Sequence, residues 1–198
     1  MTQKVKVVIL TKSDKQGGYC VAGITEHGKW VRLVTNKKGA ALDKKKCTYT
    51  LLDIIDAEVE PCPIPFQPEN IKLLNYQIVE KTDLETIIQR FNLLCKTDYA
   101  FLNLKQFLKE VEMQKLENSL IILKGENIES YRNDNGKWKA KFTYNRKEYR
   151  EISVTDPNYF KQSFKVKNAY LVMSLPPDAY EINDMLLYYK FIAAIYPC

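Results

Sequence analysis

Histidine is almost missing from this sequence, which contains a single one, His27, among 198 residues. A two-histidine metal site needs a second histidine, and a serine-type catalytic triad needs its histidine placed beside the nucleophile. A single histidine in a predicted hairpin turn meets neither requirement. The phosphate-binding pattern GxxxxGK[ST] is also missing. The sequence therefore gives little support for catalysis, and we expect neither a cofactor nor a metal site.

Long apolar runs and paired cysteines are missing as well. The most apolar stretch, residues 185–196, contains Lys190 and is shorter than the roughly 20 residues that a membrane-spanning helix needs. Residues 1–10 alternate like a strand and lack the apolar core of a signal peptide. The five cysteines are odd in number and form no CxxC motif, so we expect reduced thiols in a cytoplasmic protein without membrane contact.

The overall composition is typical of a globular protein. Hydrophobic residues make up 45% of the chain and charged residues 27%, with a formal net charge of +6. At about 100–200 residues per domain, the length permits one large domain or two small ones.

The charge is distributed unevenly along the chain. Residues 1–46 hold 11 basic and 3 acidic side chains, and residues 128–167 hold 10 and 5. Residues 47–127 are acidic, with 8 basic and 13 acidic side chains. Two basic blocks of this kind suit a nucleic acid or nucleotide, and they also suit an acidic protein partner. Lysines that solvate exposed strand faces would produce the same pattern.

Alternating apolar residues predict two groups of short strands. The first group comprises residues 5–12, 19–25, 29–35, 50–60 and 71–79. The second group comprises residues 120–125, 128–132, 137–145, 147–157, 168–175 and 187–196. The turn signal at residues 133–136 predicts a hairpin in the second group.

Between the two groups of predicted strands, the spacing of apolar residues changes to that of a helix. Thr82 and Glu85 form a capping-box pattern, and apolar residues then recur at helical spacing over residues 83–95 and 104–117. We therefore expect an N-terminal barrel over residues 1–80, a helical insert or linker over 81–118, and a C-terminal barrel over 119–198. The predicted class is mainly β with a helical insert (α+β), built as two small OB-like β-barrels.

A short internal similarity supports two related barrels. Residues 27–35 and 135–143 share Gly, Lys, Trp and Thr at the same offsets, each on the return strand of a predicted hairpin. Four matches in nine positions are also compatible with chance.

The sequence resembles the dual OB-domain family over nearly its whole length. The segments that carry the resemblance read VVILTKSDKQGGYCVAGI, GKWVRLVT, PFQPENIKLL, VTDPNYF, YLVMSLPP and YYKFIAAIY. The most specific matches are Ser13, Lys15, Cys20, Ala22, Gly23, Trp30 and Arg32. The chain departs from the family pattern at Asp14, Leu33 and Pro176. The resemblance implies two OB-like barrels and, by analogy with OB folds, binding of nucleic acid or a nucleotide.

The first candidate ligand site is the loop at residues 12–18. Lys12, Ser13 and Lys15 lie beside two glycines there, where backbone N–H groups and lysines could hold a phosphate. Alternatively, Ser13 only shapes the turn between two strands.

The second candidate group lies on the third predicted strand and in the loop QPEN. Trp30 and Arg32 share a strand face, where they could stack a base and contact a phosphate. Alternatively, Trp30 fills the core and Arg32 pairs with a buried carboxylate. Gln67 and Asn70 offer paired donors and acceptors for a base edge, although the loop residues could instead cap a strand.

The third candidate group is the second basic block. Lys139 and Lys141 share the outer face of a strand whose other face carries Trp138, Ala140 and Phe142, which we assign to the core. Tyrosines and Phe160 interleave with these basic residues, as in proteins that bind single strands. A lysine-rich sheet edged by tyrosines looks the same.

These observations favour a non-enzymatic module that binds nucleic acid or a nucleotide. The alternative is a protein-interaction or regulatory module with an acidic partner. A small enzyme that uses the loop at residues 12–15 is the third hypothesis.

Overall fold

Two closed β-barrels form most of the protein in a computed structural model that describes residues 1–15 and 17–198. For Lys15 only the backbone is described. The chain divides into two compact units, Met1–Leu93 and Leu94–Cys198. The prediction of a mainly β protein with two OB-like barrels is confirmed.

Barrel 1 lies in the first unit. Its strands are β1 (Gln3–Lys15), β2 (Gly18–Thr25), β3 (Trp30–Val34), β4 (Asp53–Pro61) and β5 (Asn70–Lys81). They close in the order β1-β2-β3-β5-β4, in which β3 and β5 are parallel. A short 3-10 helix, Lys44–Lys46, lies in the connection from β3 to β4.

The core of barrel 1 follows from strand alternation. Val7, Val21, Leu33 and Ile55 are all buried in one apolar cluster, and residues next to them in sequence point to the opposite face. Gly23 allows β1 and β2 to approach, because a Cβ at that position would lie 2.0 Å from the Val8 carbonyl oxygen.

Barrel 2 lies in the second unit and repeats the same topology. Its strands are β7 (Leu120–Arg132), β8 (Trp138–Tyr144), β9 (Lys147–Val154), β10 (Lys165–Ser174) and β13 (Phe191–Pro197). They close in the order β7-β8-β9-β13-β10, and here β9 and β13 are parallel. Inside the barrel, the buried rings of Phe142 and Tyr149 stack with centroids 4.9 Å apart.

A separate three-stranded sheet also belongs to the second unit. It contains β6 (Phe107–Lys109), β11 (Tyr180–Ile182) and β12 (Met185–Tyr189), in the order β11-β12-β6. Residues 187–196 were expected to form one strand, but the strand is interrupted at Lys190, between β12 and β13. The Lys190 side chain is buried and donates hydrogen bonds to the carbonyl oxygens of Ala100 and Asn103.

The helices are shorter than the sequence periodicity predicts. Helix α1 spans Leu84–Phe91 and is capped by Asp83, whose carboxylate accepts hydrogen bonds from the Thr86 amide and hydroxyl. These hydrogen bonds lower the pKa of Asp83. The helix ends at Asn92, which adopts a left-handed conformation.

The second predicted helix, over residues 104–117, is reduced to α2 (Glu110–Met113). Phe107 and Leu108 instead pair with β12 through Tyr189 and Tyr188. Strand pairing, which is a long-range interaction, therefore prevails over a local helical pattern. Of the expected insert at residues 81–118, α1 belongs to the first unit, whereas β6 and α2 belong to the second.

The similarity between residues 27–35 and 135–143 does not relate equivalent strands. Trp30 begins the third strand of barrel 1, whereas Trp138 begins the second strand of barrel 2. The two segments share the chemistry of a hairpin return strand, not a position in the barrel.

Candidate functional site

The strand order 1-2-3-5-4 of both barrels is that of the OB fold. In OB folds the ligand lies across strands two and three, between the loop that joins strands one and two and the loop that joins strands four and five. In barrel 1 this face comprises β2 and β3 with Gly17 and residues 62–69. In barrel 2 it comprises β8 and β9 with residues 133–137 and 175–190.

On this face of barrel 1, the predicted polar site residues of β3 and of the loop before β5 are buried. Arg32, on β3, is only 4% exposed, and its Nη2 lies 3.6 Å from Oε1 of the buried Glu69. Its Nη1 donates to Sγ of Cys20 at 3.1 Å, and its backbone amide donates to the Glu69 carbonyl oxygen. The guanidinium predicted to contact a phosphate is thus placed against a protein carboxylate.

Gln67 and Asn70 are buried next to this ion pair in the chain. Gln67 is 2% exposed and Asn70 is 1% exposed, and the Asn70 side-chain amide donates to Oε1 of Gln67 at 3.3 Å. The backbone amide of Asn70 donates to the Gln67 carbonyl oxygen, which closes a tight turn. The two side chains hold this turn together, and their exposure is too small for a base edge to reach them directly.

Two of the candidates on β1 are engaged by the protein itself, Lys12 partly buried and Ser13 buried. Nζ of Lys12 donates to the carbonyl oxygens of Cys47 and Tyr49, both at 2.8 Å, and lies 4.7 Å from the centroid of the Tyr19 ring. Ser13 is 5% exposed. The side chain of Lys15 lies outside the described part of the chain.

Trp30 is partly buried at the first position of β3, opposite Ile24. It lies outside the apolar cluster that fills barrel 1. Its ring is therefore partly accessible to solvent.

Barrel 2 differs at this face, because β8 and β9 contribute to an open groove of about 690 Å³. We call this feature the aromatic–basic groove. Its aromatic side chains are Trp138, Tyr159, Phe160, Phe164 and Phe191, and its cations are Arg132, Lys137, Lys139 and Lys161. None of the described residues that line it carries a carboxylate.

Two of the cations lie over aromatic rings. The Arg132 guanidinium lies 4.8 Å from the centroid of the Trp138 ring, and Nζ of Lys161 lies 4.9 Å from that of Phe160. Arg132 and Trp138 are paired across β7 and β8 at the end of the barrel. Each such pair presents a ring face and a positive charge together.

One wall of the groove is the segment of residues 155–164, which follows β9. The buried Asp156 anchors it, since its carboxylate accepts hydrogen bonds from the Asn158 and Ile195 amides at 2.9 and 2.8 Å. Ser130 on β7 anchors the other end through its hydroxyl, which donates to the Gln162 carbonyl oxygen and accepts from the Phe164 amide. The wall is therefore fixed by hydrogen bonds to two strands.

The two predicted lysines of β8 are placed differently. Nζ of Lys139 donates to Oγ of Ser153 on β9 at 2.9 Å, within the groove. Nζ of Lys141 instead pairs with Glu129 of β7 at 3.0 Å. Burial lowers the pKa of Lys139, and the hydrogen bond from Lys141 lowers the pKa of Glu129.

A second depression of about 460 Å³ adjoins the groove and shares Lys137, Lys139, Ser153 and Phe191 with it. We call it the polar depression. The loops at both ends of the ligand face of barrel 2 contribute to it, and its other lining residues are Gln106, Asn133, Asn135, Glu151, Tyr180, Glu181, Ile182 and Tyr189.

Glu151 organises the polar depression. Its carboxylate accepts hydrogen bonds from the Tyr131 hydroxyl at 2.5 Å and from the Asn133 amide at 2.9 Å. Burial acts to raise the pKa of Glu151, but these two hydrogen bonds and the charge of Lys139 lower it overall. The carboxylate is thus held ionised, with its oxygens occupied by protein donors.

Several residues of the groove were not among the predicted site residues. Trp138 was assigned to the core because it alternates with Ala140 and Phe142, yet it is partly exposed in the groove. The alternation of apolar residues shows which face of a strand a side chain lies on. It does not show whether the first residue of that strand lies beyond the end of the barrel interior. Phe191 and Phe164 are distant in sequence from β8 and carry no local signal that places them beside it.

Three other features bear on the chemistry of the protein: the single histidine, a metal site and a membrane-spanning helix. His27 is exposed in the β2–β3 hairpin, 4.0 Å from Glu26. Across residues 1–15 and 17–198, no group of three His, Cys, Asp or Glu side chains is arranged to hold a metal ion. No helix in the same residues is long and apolar enough to cross a membrane.

Comparison with known proteins agrees with the topology. No curated protein and no solved structure matches the chain. A model of the dual OB-containing domain matches residues 5–195, which include all strands of both barrels except the ends of β1 and β13. With nearly its whole length matched and the OB strand order present twice, the chain belongs to the family of dual OB-containing domains.

Proposed function

We propose that barrel 2 binds single-stranded nucleic acid in the aromatic–basic groove. The observation that carries the proposal is the composition of the groove: four cations and five aromatic side chains, without a carboxylate among its described lining residues. Cations attract the phosphate backbone, and exposed rings stack on bases.

The position of the groove supports the same ligand class. It includes residues of β8 and of the loop before it, which belong to the ligand face of an OB barrel. OB folds also bind oligosaccharides on this face. Four positive charges favour a polyanion over a neutral sugar.

Single strands fit the groove better than duplexes. Rings such as Trp138 and Phe160 can stack only on bases that are not already stacked and paired within a helix. The wall at residues 155–164 is held at Asp156 and Ser130, so its rings need little further ordering when a strand binds.

An acidic protein partner is the competing ligand, because the cations alone would suit it equally. The exposed rings distinguish the two, since a base offers a flat face to each ring. Binding of an acidic protein is therefore one of the outcomes that the experiment must distinguish.

Fluorescence anisotropy with labelled single-stranded and duplex oligonucleotides of DNA and RNA tests the proposal. We expect tighter binding of single strands and a slope of log K against log salt of about −3, since four cations each release about 0.7 counterions from a single strand. A free mononucleotide as competitor measures how much of the affinity one base and phosphate supply.

The matched variants are Arg132→Ala in the groove and Lys141→Ala on the same barrel but outside the groove. Arg132→Ala should weaken binding and reduce the salt slope by about one. The proposal is wrong if single strands do not bind at low salt, or if both variants behave like the parent protein. Nuclease-resistant capture of an acidic protein together with either result would favour the alternative ligand.

A further inference from the structure

Lys139 has a central position on the ligand face of barrel 2. It is paired with Tyr131 on β7, and it donates to Ser153 on β9, which is paired with Phe191 on β13. These four residues form a row across the face, and Lys139 lines both the aromatic–basic groove and the polar depression.

The chemistry around its amino group differs from that of a lysine that only contacts phosphate. Its hydrogen-bond partner is the neutral hydroxyl of Ser153, 2.9 Å away. Lys141, two residues later, is held by the carboxylate of Glu129. A neutral partner leaves the amine free to lose its proton without breaking an ion pair.

The surroundings also favour the neutral amine. Burial lowers the pKa of Lys139, and the positive charge of Lys137 acts in the same direction. The ionised carboxylate of Glu151 acts in the opposite direction, but burial outweighs it, so the pKa of Lys139 is lowered overall. With an ordinary pKa, roughly one lysine in 2,500 is neutral at pH 7, so a lowered pKa increases the nucleophilic fraction.

We propose that Lys139 forms an imine with the aldehyde of an abasic nucleotide in a bound single strand. This inference rests on the proposed function, because the strand must first occupy the groove. The rings that flank Lys139 would hold the neighbouring bases, and the abasic sugar would lie where a base is missing. The ligand class is therefore a single strand that has lost a base.

The reaction is balanced without a cofactor. The neutral Nζ attacks C1′ of the ring-opened deoxyribose, and a C–N bond forms as the carbonyl π bond breaks. One of the two amine protons moves to the oxygen, which takes a second proton from solvent and leaves as water, while the other amine proton remains on the iminium nitrogen. The step is reversible and involves no oxidation or reduction.

Trapping with cyanoborohydride tests the inference. The reagent reduces the iminium to a stable amine and links the full-length protein to a labelled single-stranded oligonucleotide containing one abasic site. We expect a cross-linked product whose peptide map locates the DNA on Lys139. The yield should rise with pH at values below those at which an ordinary lysine becomes neutral.

Lys139→Arg is the diagnostic variant, because arginine keeps the charge but provides no amine that can be deprotonated in a protein. Per bound strand, measured for each protein by anisotropy, it should lose about tenfold or more of the trapped product. Lys141→Arg is the matched control and should retain full trapping.

The outcomes separate this inference from the proposed function. Binding of the intact strand without trapping, or trapping that Lys139→Arg leaves unchanged, overturns the imine and leaves strand binding intact. Absence of binding to any single strand overturns both.

Discussion

The same ligand face is closed in barrel 1 and open in barrel 2, although both barrels have one strand order. In barrel 1 the face holds Arg32 and Glu69 as a buried ion pair, 4% and 7% exposed. In barrel 2 it holds exposed rings and cations such as Phe160 and Lys137. Topology therefore specifies where an OB ligand face lies, whereas its side chains specify whether that face can receive a ligand.

The largest expected effect comes from breaking the buried pair in barrel 1. Arg32→Ala should lower the free energy of unfolding by about 3–5 kcal/mol, because it leaves the Glu69 carboxylate buried without its cation. Urea denaturation measures the change. Lys72→Ala, which breaks a partly exposed pair with Glu60 at 3.6 Å, is the control and should cost less than about 1 kcal/mol.

Arg32→Ala also tests whether barrel 1 contributes to the binding of a single strand. A soluble, folded preparation of Arg32→Ala at low temperature should bind a single strand as the parent protein does. A loss of affinity as large as that of a groove variant would show that barrel 1 contributes to binding, and the contrast between the barrels would then be wrong.

The next largest effect should be a pH dependence of the stability of the second unit. Burial lowers the pKa of Lys190 to about 7, whereas the amine of an unfolded lysine keeps its proton up to about pH 10.5. Between these values the unfolded state binds the extra proton, so stability should rise with pH, by at most about 1.4 kcal/mol per pH unit.

Lys190→Met provides the control for that pH dependence. Urea unfolding from pH 7 to 9.5 should show a smaller slope for the variant than for the parent protein, since methionine does not titrate. Equal slopes in the two proteins would mean that the buried ammonium keeps its proton, held by the carbonyl oxygens of Ala100 and Asn103.

A smaller effect should separate the two tryptophans. Trp138→Ala should weaken single-strand binding by about 1–3 kcal/mol, the usual contribution of one stacked base. Trp30→Ala, in barrel 1, should leave the affinity within about twofold, because its ring lies outside the groove. Titration by anisotropy measures both, and the reverse ranking would place the ligand on barrel 1.

The smallest effect should come from Lys141. Lys141→Ala removes a cation that is paired with Glu129 and lies outside the groove, so we expect a change in affinity below about twofold and a stability change below about 1 kcal/mol. Lys139→Ala should reduce affinity more. Equal losses from the two variants would indicate a diffuse basic surface in place of a defined groove.

Most of the strands could be predicted from the sequence, since alternation is a local property of a two-sided strand. The residues 19–25 and 29–35, for example, contain β2 and β3. The predicted helix at 104–117 differs because Phe107 and Leu108 pair with a strand about 80 residues later in the chain. No local pattern reports such a partner.

The candidate site could be predicted only in part, for the same reason. Lys139 was predicted, together with an interleaving of basic and aromatic residues, because these residues adjoin in sequence. The roles of Arg32 and Lys12 depend on acceptors that lie about 35 residues away, at Glu69, Cys47 and Tyr49. A cation in a sequence does not show whether its partner is a protein group or a ligand.

The mainly β class, the two barrels and the family follow from the amino-acid sequence alone, because alternation, turn residues and short motifs are encoded locally. The tertiary structure alone decided which basic residues are exposed. The net charge of residues 1–46 is higher than that of residues 128–167, yet the open groove belongs to the second block. Burial and ion pairing depend on segments that meet only when the chain folds, and these determine whether a charge can meet a ligand.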